Sequence, residues 1–231
     1  MIEKIQLKVL MDYAHFINKQ KASFEKDHHL MPIQNHKQHN SDPEYWEILL
    51  KDITEDPSLW NGKRALDFGC GCGRNIENLL NLANFESVDG CDISAQNANY
   101  SKKYVENKFG LNRCHTWEND GYTLRPANND TYDFVMSHIV FQHIPNYDVR
   151  YSILLDIHRV LKKGGIASLH YMDLSYSVPY YTNSVNLMNC VVEDPDYLIK
   201  DFQSIGFKEI SCETGIDYFT KNTSYYIRGV K

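Results

Sequence analysis

The stretch Ala65-Leu66-Asp67-Phe68-Gly69-Cys70-Gly71-Cys72-Gly73-Arg74-Asn75 decides the fold. A short apolar run leads into a loop with glycine at every second position, and a helical pattern follows from Asn75 to about Leu82. Glycine lets the backbone turn sharply and admits a ligand where a Cβ would stand. The helix N-terminus beyond it offers free N–H groups and a partial positive charge to an anionic group. A dinucleotide fingerprint reads G-x-G-x-x-G, and a phosphate loop ends in G-K-[ST]. Here the third glycine comes one residue early, Asp67 stands two positions before the first, and no Lys-Ser or Lys-Thr follows.

At 231 residues the chain predicts one domain with an appendage. The net charge is −6, and Lys and Arg are scattered apart from short pairs such as Lys102-Lys103. That pattern argues against nucleic acid, which wants a clustered basic face. Charges within Met1–Lys8 exclude a signal peptide, and no window reaches the roughly 18 apolar residues of a membrane span. The six cysteines (Cys70, Cys72, Cys91, Cys114, Cys190 and Cys212) lack paired zinc-finger spacing. They read as reduced thiols in a cytoplasmic protein that holds no metal.

Residues 1–20 predict an amphipathic helix with Ile5, Val9, Tyr13 and Phe16 near one stripe. A polar segment over 27–44 carries His28, His29, His36 and His39, a set spaced for no familiar metal site. From residue 64, strand patterns (64–68, 87–91, 113–117, 132–137, 165–171) alternate with helical ones (74–83, 95–108, 148–161). Alternation of this kind predicts βαβ units and a parallel sheet with helices on both faces. A helix at about 195–205 and two final β-rich runs add an antiparallel edge.

Four further signals follow the glycine loop. Asp92, in Val88-Asp89-Gly90-Cys91-Asp92, ends the second strand, where ligands of open α/β sheets bind. Its carboxylate can accept from both hydroxyls of a ribose, or it can cap the next helix, as Ser94 also can. Asp89 reads as a surface acid. Glu118-Asn119-Asp120-Gly121-Tyr122-Thr123-Leu124 follows the third strand. Tyr132-Asp133-Phe134-Val135-Met136-Ser137-His138-Ile139-Val140-Phe141-Gln142-His143-Ile144-Pro145 spans the fourth strand and its loop, and Leu161-Lys162-Lys163-Gly164-Gly165 precedes the fifth.

These five motifs, in this order and spacing, resemble those of the class I S-adenosylmethionine (SAM)-dependent methyltransferases over residues 60–231. The resemblance implies a Rossmann-like α/β fold with seven strands in the order 3-2-1-4-5-7-6, the seventh antiparallel. Residues 1–59 would form an N-terminal helical extension or lid over the catalytic domain. SAM would be the cofactor and S-adenosylhomocysteine the product. The implied cofactor contacts are Asp67, Gly69, Cys70, Gly71, Gly73, Asn75, Asp92, Ile93, Asn119, Asp120, Gly121, Ser137 and His138. Of these, the Asp120 carboxylate would accept from the adenine amino group. Asn119 replaces the usual first glycine there, and Lys163 replaces the usual proline before the fifth strand.

A neutral imidazole near the methyl group can take a proton from an acceptor hydroxyl, which makes His138 and His143 the candidate catalytic bases. Tyr45, Trp46, His170, Tyr171, Tyr180 and Tyr181 are candidate substrate contacts, the tyrosines offering an apolar face with a polar tip. Acidic charge and the lack of a basic patch favour a small-molecule, sugar or glycan-linked acceptor, and the two candidate bases favour methylation on oxygen. The rival readings are a NAD(P)-dependent oxidoreductase, which the early third glycine opposes, and a non-catalytic SAM-binding subunit.

Overall fold

The computed structural model describes residues 2–27 and 37–231. Its centre is a sheet of five parallel strands: β1 (Arg64–Phe68), β2 (Ser87–Asp92), β3 (Thr116–Glu118), β4 (Tyr132–Ser137) and β5 (Leu161–Met172). Two more, β6 (Lys208–Ile216) and β7 (Thr223–Val230), complete it, with β7 antiparallel between β5 and β6. The order is β3-β2-β1-β4-β5-β7-β6, as the motif order implied.

Helices α1 (Ile2–Asp27), α2 (Arg74–Leu82), α3 (Ala95–Phe109), α4 (Tyr147–Val160) and α5 (Asp196–Ile205) cover the two faces. No described helix is long and apolar enough to cross a membrane.

Alternation along the strands builds two cores. Leu66 and Val135 point into a cluster with Phe68, Ile153 and Phe202. Their neighbours Ala65, Phe134 and Met136 point the other way, against Leu49, Ile53, Trp60 and Leu79. α1 buries Val9, Phe16 and Ile17 in the first cluster, with Ile5 and Tyr13 packed on its rim. Polar bonds fix it there: Gln6 Nε2 donates to Asp156 Oδ1 at 2.9 Å and Gln20 Nε2 to the His143 carbonyl at 2.8 Å.

Two local expectations are corrected. The third strand begins at Thr116 rather than 113, because the His115 N–H is taken by the Asp89 side chain at 3.0 Å instead of a neighbouring carbonyl. Asp89 is buried rather than a surface acid: it accepts from Arg64 Nη2, Tyr132 Oη and His115 N, tying β1, β2 and β4 together. The segment 174–192 contains a short parallel pair, Ser177–Pro179 with Asn189–Val191. The buried Arg150 of α4 donates to the carbonyls of both Tyr180 and Ile144 and so latches this segment to the loop after β4. His28, His29 and His36 lie outside the described residues. Among the described residues no group of three His, Cys, Asp or Glu side chains is placed to hold a metal ion.

Candidate active site

The glycine loop turns over the end of β1 and is pinned to β2, since Gly69 N and Cys70 N both donate to the Cys91 carbonyl at 2.8 and 3.0 Å. Gly69 and Gly71 both have positive φ, at +77° and +50°, but for different reasons. A Cβ on Gly69 would stand 2.3 Å from Val140 Cγ2, so this glycine lets β4's loop close on β1. A Cβ on Gly71 would meet nothing within 4 Å. That open space belongs to a cavity of about 370 Å³ at the carboxyl ends of β1, β2 and β4, where ligands of such sheets sit.

Of the sequence-predicted cofactor residues, Gly69, Cys70, Gly71, Asn75, Asp92, Ile93, Asn119, Gly121 and His138 line this cavity. Asp92 accepts from Gly71 N and Ser94 N, both at 2.9 Å, which aims its carboxylate along the glycine loop. The cap of α3 is Ser94, whose hydroxyl accepts from Asn97 N at 3.2 Å. That leaves Asp92 on the cavity wall.

Four predicted residues stand behind the wall. Asp67 is fully buried; Asn75 Nδ2 donates to its Oδ1 at 3.0 Å, and burial pushes its carboxyl up to about 7. Gly73 caps α2 and packs on Ser101. The Ser137 hydroxyl donates to the Phe68 carbonyl at 2.8 Å, joining β4 to β1. The Asp120 carboxylate accepts from Tyr122 N, Thr123 N and the Thr123 hydroxyl, so its own turn occupies it and Asn119 faces the cavity instead.

The six candidate substrate residues do not line the cavity either. The Tyr45 hydroxyl donates to Asn75 Oδ1 and accepts from Asn78 Nδ2, making it a strut behind the glycine loop. Trp46 Nε1 donates to the Asn40 carbonyl at 2.7 Å. Tyr171 and Tyr180 are core side chains, and Tyr181 packs outward on Tyr197. His170 accepts from Ile139 N on Nδ1 at 3.2 Å, so its proton sits on Nε2 toward Ser224. Burial lowers its pKa to about 3. Its partner Ile139 lines the cavity with φ +61°, a strained turn for a β-branched residue. His170 thus supports the site from behind.

The two candidate bases are distinguished by their partners. Arg74 Nη2 lies 2.6 Å from His138 Nδ1. A guanidinium only donates, so Nδ1 accepts and the His138 proton is on Nε2. That Nε2 is buried with no partner among the described residues, and His138 packs against the rings of Tyr45 and His170. Burial, reinforced by Arg74, drives its pKa well below the ordinary value. His138 is therefore not placed to take a proton from an acceptor, which corrects the expectation for it.

His143 is the opposite case. Asn189 Nδ2 donates to the Ser175 carbonyl at 2.9 Å, which orients Asn189 Oδ1 toward His143 Nδ1 at 3.0 Å. His143 then carries its proton on Nδ1, and Nε2 is its basic nitrogen.

Sequence reasoning passed over Arg74, Gln20, Phe24, Gln38 and His39, all of which line the cavity. Arg74 stood in the deciding stretch, directly after the glycines. Gln20 and Phe24 continue the stripe of Phe16 at four-residue spacing, a signal that α1 would run past residue 20.

Residues 66–169 match the family model of a methyltransferase domain. No curated protein matches the chain. Similar solved structures include phosphoethanolamine N-methyltransferase 2 of Haemonchus contortus, with a TM-score of 0.62 at 16% identity over 80% of this chain and 52% of that longer one. The present chain thus spans about half of that relative. A SAM-dependent methyltransferase of Aquifex aeolicus matches with a TM-score of 0.57 at 17% identity, over 85% of this chain and 98% of that one. The [4+2]-cyclase SpnF matches with a TM-score of 0.60 at 15% identity, over 79% and 80%. At these identities the likeness is one of fold, and the cyclase shows that the fold carries more than one chemistry. The matched domain, the motif order, the strand order and the open space at the glycine loop agree: residues 66–169 match a methyltransferase domain, and the chain has the Rossmann-like fold of the solved SAM-dependent methyltransferases it resembles.

Proposed function

We propose that this chain transfers a methyl group to an oxygen of a small-molecule, sugar or glycan-linked acceptor. When bound, SAM supplies an electrophilic methyl on a sulfonium. The protein's task is then to align the acceptor and exclude water. Asp92 would hold the ribose hydroxyls, Asn119, Gly121 and Ile93 the adenine end, and Gly69, Cys70, Gly71 and Asn75 the remainder of the cofactor. Residues 1–59 would act as an extension closing the site on the domain formed by 60–231, with Gln20 and Phe24 on one side and His39 on the other.

The observation that supports the oxygen reading is the Asn189–His143 bond, which puts the ring proton of a cavity-lining imidazole on Nδ1. Six free thiols support a reducing, cytoplasmic setting.

The test begins with calorimetric titration of S-adenosylhomocysteine and NADH into wild type and Asp92→Ala. Selective binding of the first, weakened roughly ten- to a hundred-fold by the substitution, is the expected result. Incubation with SAM and fractionated metabolites should then release S-adenosylhomocysteine. His143→Gln should slow that release by about 10²–10⁴-fold with little change in cofactor affinity. Binding without turnover in any fraction would favour the non-catalytic subunit. Equal rates for His143→Gln and wild type would remove the base.

A further inference from the structure

We infer that Arg74 is the carboxylate-binding residue of this cavity, held in place by His138. Arg74 opens α2, lines the cavity and is 7% exposed. Its guanidinium makes two hydrogen bonds among the described residues, Nη1 to Asn40 Oδ1 at 3.1 Å and Nη2 to His138 Nδ1 at 2.6 Å. The Tyr45 ring stacks 4.9 Å from its central carbon. All three partners are neutral; the buried Asp67 acts on Arg74 at longer range, and no described carboxylate lies in ion-pair contact with it. The acids nearby are committed elsewhere: Asp67 is bonded to Asn75, and Asp92 to Gly71 N and Ser94 N.

A guanidinium stays charged at every relevant pH, and a nearly buried charge without a counter-ion is costly. The fork is rigidly braced. Asn40 is bonded to Asn78, Asn78 to Tyr45 and Tyr45 to Asn75. Of five guanidinium N–H groups, three are not used by Asn40 and His138.

Among the described lining residues Arg74 is the sole Arg or Lys, so these residues match a single negative charge better than a phosphate dianion. A planar fork pairs best with a planar carboxylate. His138 is a positioning residue here: its Nδ1 lone pair fixes the fork, a role only the neutral ring can fill.

The carboxylate has two possible sources, the amino-acid end of SAM or the acceptor, and the assignment rests on the cofactor reading for the first only. The experiment is calorimetry on wild type, Arg74→Gln and Arg74→Lys with S-adenosylhomocysteine and with 5′-methylthioadenosine, which lacks the amino-acid end. Benzoate titration of the free and the nucleoside-saturated protein by NMR completes it. Circular dichroism melts establish that each variant is folded.

A tenfold or greater loss of S-adenosylhomocysteine affinity in both variants, with methylthioadenosine unchanged, supports the site and assigns it to the cofactor. Unchanged affinity for both nucleosides, with benzoate binding lost in Arg74→Gln, supports it and assigns it to the acceptor. If wild type binds neither nucleoside, the cofactor reading fails, while Arg74-dependent benzoate binding to the free protein still upholds the anion site. Equal losses for both nucleosides without an effect on benzoate, or no dependence on Arg74 anywhere, overturn it.

Discussion

Gly71 and Gly69 offer a paired test of where the cofactor approaches the chain. Both have positive φ, so alanine at either position costs about 1–2 kcal/mol of folding stability from backbone strain. At Gly71 that is the whole expected cost, because the new methyl meets no atom within 4 Å. At Gly69 the methyl would lie 2.3, 3.0 and 3.2 Å from three carbons of Val140, and overpacking of that kind adds roughly 1–3 kcal/mol. Gly69→Ala should therefore lose roughly 2–5 kcal/mol in a urea melt, and Gly71→Ala no more than about 2. Affinity should rank the other way per unit of stability lost. The Gly71→Ala methyl projects into the space beside Asp92, and S-adenosylhomocysteine should bind at least about tenfold more weakly, a loss of roughly 1.4 kcal/mol or more. A folded Gly71→Ala protein with wild-type affinity by calorimetry would refute this placement.

Three further outcomes follow from named contacts. The Asp67 carboxyl is raised from 3.8 to about 7 by burial, so between these values the native state holds a proton that the unfolded state has released. Stability should fall as pH rises through that window, by up to roughly 4 kcal/mol, and Asp67→Asn should flatten the decline in urea melts at pH 4.5 and 8; parallel curves would sink this account. Asn189→Asp puts a carboxylate beside His143 Nδ1 and should move the NMR titration of the His143 ring up by roughly one pH unit. An unmoved titration would show that the Asn189 contact does not govern this ring. Arg150→Met strips the Ile144 and Tyr180 carbonyls of their donor, and one to three kcal/mol per orphaned group predicts a loss of roughly 2–6 kcal/mol by denaturant melt. A loss under 1 kcal/mol would mean that water replaces the latch.

The features legible in the sequence are those written in local spacing. Strand and helix patterns alternate with periods of 2 and 3.6, and that alternation determined the parallel sheet. Glycines at 69, 71 and 73 and an acid at the end of β2 pointed to the edge of the sheet where the cavity lies. Direction toward or away from the cavity was not local information. His170 and Tyr171 sit at the carboxyl end of β5, as the pattern required, but β7 and its neighbours bury both. Asp120 has the composition of a ligand loop, and its own turn closes on its carboxylate.

The histidines show the limit most clearly. Which nitrogen of His138 or His143 carries the proton depends on a partner 64 residues away in one case and 46 in the other. Neither separation leaves a trace in spacing or composition. Packing of α2 against β4 brings Arg74 to His138 and makes it a brace. Docking of the 174–192 segment on the β4 loop brings Asn189 to His143 and puts that ring's proton on Nδ1. A hydrogen-bond partner is chosen by three-dimensional proximity, so only the tertiary structure could assign these partners.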